Sequence, residues 1–353
     1  MAARFPSPSR RSWVPVAVAL AAAVACAVLT RTGFPTAEGP RSSPAPAAPA
    51  AADGAPSLPS ESRIEVRQVQ TSSEDPFRQR FDEMGAQLEK EARRYPGRMA
   101  IYVKDLKRGW EWSTHADDLF PSASLIKLPI MIGVFEKISR GELALSQELT
   151  LKRRLRVGGS GSLKWWRDGS KLTVRQLIDH LIVESDNTAM RILIDEVGMG
   201  YLQRQFQQMG LVYTEIYPEG LSLQSGNVKY ENFTTAREMS MLMEKIYRKE
   251  IVDPFSDELM LEILKHKRAR SRLAKSLPVG WEIAHKTGLL RRACHDVSIV
   301  FSPDGDYVLT VLTGQNASYP YAKEYIARIG KITYTHYKTA LDLYAKAGRR
   351  ERE

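Results

Sequence analysis

Phe120-Pro121-Ser122-Ala123-Ser124-Leu125-Ile126-Lys127-Leu128-Pro129 opens a stretch that stays apolar on nearly all sides through Phe135. A helix without a polar face belongs in the middle of a protein, so residues 125–135 are expected to be buried. Ser124 stands at the start of this helix, and Lys127 lies one turn further on the same face. Pro129 removes one backbone bond, to Leu125, and a slight bend is expected there. A serine hydroxyl becomes a nucleophile only when a neighbour takes its proton. A lysine can do so if burial and a second cation disfavour its charged form.

Two further polar triplets follow along the chain, Ser185-Asp186-Asn187 and Lys286-Thr287-Gly288. Leu172-Thr173 caps a helix with apolar Val174, Leu177, Ile178 and Leu181, so the first triplet reads as a loop. It separates that helix from another over 188–197, stopped by Gly198, with a further one over 201–208. Residues 217–232 are polar and irregular, and a loop of that length is usually functional. Thr234-Thr235 caps a helix through Tyr247. Strands are expected over 281–286, 296–301 and 307–313, the last two joined by Pro303-Asp304-Gly305-Asp306. Earlier, a helix over 77–94 precedes a hairpin of 99–106 and 110–114. A helix over 319–344 closes the pattern. Strands at both ends with helices between imply an α+β fold, one antiparallel sheet flanked by helices plus an all-helical lobe.

These triplets suggest a division of labour. Lys286 is the second cation beside Lys127, and Ser185 relays a proton between the lysines and a leaving nitrogen. Asn187 holds a substrate amide, while Asp186 braces its loop. An oxyanion needs two N–H donors; Ser124 supplies its own amide at a helix start, and Leu289 supplies the other. Lys286, Thr287 and Gly288 would receive a substrate carboxylate. Taken singly, each residue has a plainer reading: Ser124 and Asn187 as helix caps, Lys286 as a surface lysine.

The chain of 353 residues carries a formal net charge of +10. Residues 13–29 form an apolar run behind Arg4, Arg10 and Arg11, which reads as a secretory signal or an N-terminal membrane anchor. Ala23-Val24-Ala25 resembles a cleavage site, and Cys26 resembles a lipidation site. The expected organisation is therefore a leader over 1–33, a Pro/Ala-rich linker over 34–75, a catalytic domain over 76–347 and a charged tail over 348–353. Export to the periplasm or cell exterior follows. The cluster Lys265, Lys267, Arg268, Arg270 and Arg272 reads as a solvated helix face or loop, with attraction to an anionic envelope polymer or lipid surface as the alternative. No recognition motif accompanies the charge, which excludes nucleic acid. Six scattered histidines, no HExxH and no glycine-rich nucleotide loop imply no metal and no cofactor. The absence of G-x-S-x-G argues against an α/β-hydrolase. Cys26 and Cys294 allow no disulfide within the domain.

From about residue 77 to 345 the chain resembles the class A β-lactamase family, and especially its broad branch of secreted serine hydrolases. The resemblance rests on 120–129, on Val183-Glu184-Ser185-Asp186-Asn187-Thr188-Ala189, on Ala284-His285-Lys286-Thr287-Gly288 and on His295-Asp296-Val297. It implies the β-lactamase/penicillin-binding transpeptidase-like fold, an acyl-Ser124 intermediate and a monomer. It also implies a glutamate on the 217–232 loop that activates the deacylating water. Glu219 falls at the expected place, with Glu215 a rival, but the companion pattern E-x-x-L-N is missing. The arginine that many members place after the Lys-Thr-Gly motif is also missing, and His295, Arg291 or Arg292 would substitute. The leading reading is hydrolysis of the β-lactam amide. Its competitors are a penicillin-binding D-alanyl-D-alanine peptidase with slow deacylation, a non-catalytic β-lactam or muropeptide receptor, and an esterase or amidase of unrelated substrate.

Overall fold

A computed structural model of the chain describes residues 76–221, 231–266 and 271–350, with 339–350 described by backbone alone. The leader and linker expected over 1–75 lie outside the described residues, which belong to one compact unit. Among the described residues no helix is long and apolar enough to cross a membrane.

The first helix, α1 (Pro76–Arg94), leads into the hairpin β1 (Arg98–Asp105) and β2 (Glu111–Thr114). A short strand β3 (Phe120–Pro121) then precedes a 3₁₀ turn over Ala123–Ile126 and α2 (Lys127–Ser139). The small ribbon β4 (Glu148–Thr150) with β5 (Lys171–Thr173) frames a long loop, after which come α3 (Val174–Val183), α4 (Asn187–Val197) and α5 (Met199–Gln208). β6 (Phe233–Thr234) pairs back onto β3. Next come α6 (Ala236–Arg248), α7 (Pro254–Lys265), the strands β7 (Glu282–Leu290), β8 (Ala293–Phe301) and β9 (Tyr307–Gly314), and α8 (Tyr319–Arg350). The sheet is antiparallel in the order β2-β1-β9-β8-β7.

Strand alternation divides the core in two. Ala284, Val297, Ile299, Val308 and Leu312 face the helical lobe, where they join α2 to α7. Ile101, Val103, Leu309 and Val311 face α1 and α8 on the other side. The same alternation sends Lys286 toward the lobe and His285 away from it. Residues Lys127 to Phe135 of α2 are all buried, as a helix without a polar face requires. The bend expected at Pro129 has no cause, because Pro129 lies in the first turn of α2, where its missing N–H leaves no gap.

Other expectations need correction. β7 runs to Leu290, so the Lys-Thr-Gly triplet is mid-strand. α7 was not anticipated, although Asp253 caps it and Pro254 fills its first position. The basic cluster after α7 is not one solvated face. Lys265 pairs with Glu262, and Arg272 is buried with its Nε 3.2 Å from the Cys294 sulfur. Residues 267–270 lie outside the described set.

Candidate active site

The approach to Ser124 is pinned before it turns. The Ser122 N–H donates to the Asn232 carbonyl at 2.7 Å, and the Pro121 carbonyl lies 2.8 Å from His295 Nε2. The backbone then passes through a left-handed conformation at Ala123 (φ 49°), which a residue with a Cβ adopts at a cost of about 1–3 kcal/mol. Strand β7 presses close here. A Cβ on Gly288 would lie 3.1 Å from Ala123 Cβ and 3.3 Å from Leu125, so that glycine serves close packing behind Ser124. Ser124 itself sits in the first turn of the 3₁₀ segment, where an N–H has no helical acceptor.

Lys127 is 1% exposed and reaches four groups. Its Nζ lies 3.3 Å from Ser124 Oγ and 3.3 Å from Ser185 Oγ. It donates to the Ser185 carbonyl at 2.5 Å and to Asn187 Oδ1 at 2.7 Å. Ser185 is left-handed too (φ 56°), and that turn aims both of its oxygens at the amine. From β7 the fully buried Lys286 donates to Ser185 Oγ at 3.0 Å and to the Thr287 carbonyl at 2.9 Å. Two amines and two hydroxyls thus converge, Ser185 lying between the lysines.

The Ser185 loop is held by Asp186, Asn187 and the run that precedes them. Asp186, fully buried, caps α4 through Thr188 and Ala189 N–H and accepts Leu163 N–H at 2.8 Å. Asn187 donates from its carboxamide to the Gly158 carbonyl at 2.8 Å, and its main-chain N–H donates to the Ser160 carbonyl. The carboxamide proposed to hold substrate is thus already engaged on both sides. Gly161 (φ 95°) lies so close that a Cβ there would fall 2.0 Å from Asp186 Oδ2. The run Gly158-Gly159-Ser160-Gly161-Ser162 is the sequence signal for this close approach.

A cavity of about 40 Å³ opens on Ser124, lined also by Lys127, Asn187, Ser160, Leu221 and Leu289. Glu219 is not among its lining residues; the side chain is exposed at the start of a 3₁₀ turn that instead turns Leu221 inward. The rival Glu215 is also exposed and takes the Tyr217 hydroxyl. Residues 222–230 lie outside the described set. Thr287 is nearly buried and paired across the sheet with Asp296.

The three substitutes for the missing arginine sit in different settings. Arg291 and Arg292 are exposed at the turn between β7 and β8. His295 is buried; the Thr313 N–H donates to its Nδ1 at 3.2 Å, so its Nε2–H donates to Pro121. Desolvation pushes its pKa down to about 4, leaving a neutral imidazole that braces β3. Ligand atoms of His180, Glu184 and Asp186 lie within 4.8 Å of one another. Yet both Asp186 oxygens accept main-chain N–H groups, and Glu184 Oε2 accepts Ser162, so the trio shapes the loop.

The profile of the Beta-lactamase enzyme family matches residues 83–337. The chain belongs to that β-lactamase family. Among relatives, Beta-lactamase VEB-1 of Pseudomonas aeruginosa is 26% identical over 62% of this chain and 78% of its own length. Extended-spectrum beta-lactamase PER-1 of the same organism is 26% identical over 55% and 67%. The solved structure of PBP-A is 28% identical with a TM-score of 0.68, covering 73% of this chain and 96% of that one. A mutant of PBP-A has been solved as an acyl-enzyme complex with penicillin G. An ancestral class A β-lactamase, 22% identical with a TM-score of 0.65 over 71% and 98% of the two chains, shares the fold. The β-lactamase-type α+β architecture is therefore shared by class A enzymes and PBP-A alike.

Two outcomes follow for this β-lactamase-family site. Gly161→Ala forces a side chain into Asp186 at a left-handed position. It should lower stability by about 2 kcal/mol or more in urea titrations. For His295 the unfolded chain binds a proton near pH 6.5 that the folded chain refuses until about pH 4. Stability is therefore lost as pH falls through this window. Between pH 7 and pH 5 the parent should lose about 2 kcal/mol more than His295→Gln in urea titrations.

Proposed function

We propose that the protein is a serine hydrolase that opens the amide of a β-lactam through an acyl-Ser124 intermediate. The observation that carries this reading is the convergence of Lys127 Nζ on Ser124 Oγ and Ser185 Oγ, with Lys286 on the far side of Ser185. Ser124 Oγ attacks the carbonyl carbon while neutral Lys127 takes its proton. The oxyanion rests on the amides of Ser124 and Leu289. Ser185 hands a proton to the ring nitrogen as the C–N bond breaks, and the lysines resupply Ser185. Asn187 keeps the Lys127 amine aimed between the two serines. Lys286 and Thr287 receive the substrate carboxylate. Water then adds to the ester and frees Ser124. Such substrates act outside the cytoplasm, so the domain would work in the periplasm or at the cell exterior, with 13–29 as its export signal or anchor.

A second reading of the same site is a penicillin-binding D-alanyl-D-alanine peptidase whose drug adduct persists. One observation favours it: Leu221, not Glu219, faces the cavity at Ser124. An apolar side chain there offers no base for the deacylating water, and similarity to PBP-A points the same way.

Incubation with benzylpenicillin, followed by intact mass, separates these steps. The parent should gain one drug mass on Ser124, and Ser124→Ala none. Glu219→Gln should leave the adduct lifetime within about two-fold of the parent. Leu221→Glu, which brings a carboxylate to the cavity, should shorten it by about ten-fold or more. A parent that takes no drug contradicts the acyl-Ser124 reading. A Glu219→Gln adduct that persists far longer than the parent's assigns Glu219 to the water.

A further inference from the structure

Residues 152–171, the loop framed by β4 and β5 together with the first residue of β5, carry seven cations (Lys152, Arg153, Arg154, Arg156, Lys164, Arg167, Lys171) against the single acid Asp168. Two are neutralised by neighbours, Arg154 by Asp195 and Lys171 by Glu148. Arg156 is spent on the loop itself, donating to the Trp166 and Lys164 carbonyls. Lys152, Arg153 and Arg167 are exposed. In the same loop Trp165 is 82% exposed, with the Lys164 amine 5.6 Å from its ring centre. A tryptophan left this open has given up most of the burial its ring offers, about 1.5–3 kcal/mol for a large apolar side chain.

The loop is not loose. Its start is tied to α4 through Val157 N–H on Thr188 Oγ1, and its middle to Asp186 through Leu163 N–H. Ser160, between those ties, lines the Ser124 cavity. The 3₁₀ turn that ends at Trp165 begins at Leu163. The exposed indole is therefore presented from a scaffold continuous with the site.

We propose that this loop is a docking subsite for an anionic glycopeptide strand of the cell-wall class. Trp165 offers a flat apolar face to a sugar ring, and Arg153, Arg167 and Lys152 attract the strand's carboxylates. A membrane surface fits less well. Insertion needs several apolar tips, and Trp166, the other large apolar residue exposed here, packs its ring on His180 at 5.6 Å. The substrate class rests on reading Ser124 as the acyl acceptor, but the docking itself does not require acylation.

The test uses the full chain, the Trp165→Ala variant and the Arg153→Gln/Arg167→Gln double variant. Co-sedimentation with isolated peptidoglycan sacculi should fall about five-fold or more in each. It should also weaken in the parent as salt rises, since exposed pairs are screened. Labelling of Ser124 by a fluorescent penicillin should stay within about two-fold. Should Trp165→Ala lose labelling through misfolding, the double variant, which alters exposed charges alone, decides by the same criterion. Unchanged sacculus binding overturns the proposal. So does a loss seen instead on vesicles of anionic phosphatidylglycerol, which would make the loop a membrane contact. A parent that binds sacculi but takes no penicillin overturns the acyl-Ser124 reading and leaves the docking subsite standing.

Discussion

The site is organised around one buried amine. Lys127 is 1% exposed, so its Nζ must find oxygen partners inside the protein, because an amine in an apolar interior without them costs several kcal/mol. Each partner imposes a condition elsewhere. The Ser185 carbonyl and hydroxyl reach the amine only through a left-handed backbone at Ser185. That turn holds because Asp186 caps α4 and binds the 163 N–H. Asn187 reaches it as the first residue of α4, fixed from behind by the Gly158 carbonyl. The glycine-rich run exists in turn because Gly161 must pass against Asp186. Ser124 shares the amine only because Ala123 accepts its own strained turn.

Much of this was legible in the sequence, and for identifiable reasons. The buried α2 follows from a stretch with no polar face, and the α3 boundary from Thr173, which caps it. The hairpin, the closing strands and the α+β class came from alternation and turn residues. The Ser124/Lys127 pair and the two triplets named side chains that the fold brings together. Less legible were features set by contacts distant in sequence. His295 braces β3 because β8 brings it to Pro121, 174 residues away, and no local pattern encodes that. Its strand neighbour Asp296 points to the other face and joins His285 at 2.9 Å.

The loop after α5 shows a different limit. Counting along the chain assigns Glu219 to the water, but a 3₁₀ turn of three residues reverses which neighbour faces inward, and Leu221 takes the cavity. Asn232 fixes that choice by accepting the Tyr217 N–H and by crowding Gly220. A register error of two residues is invisible to composition, yet it exchanges a carboxylate for a hydrocarbon. In the proposed reaction, acylation and deacylation would draw on separate parts of the chain. One would rest on α2, β7 and the Ser185 turn, and the other on a loop that turns Leu221 to the cavity.

In the proposed reaction Lys127, Ser185 and Lys286 act as one proton-handling unit. Rates of Ser124 acylation by penicillin in Lys127→Ala, Lys286→Ala and the double variant test it most directly. Each single change should cost about 10²–10⁴-fold, and the double should cost little more than the worse single, as members of one unit do. Costs that multiply would show two independent lysines and contradict the account.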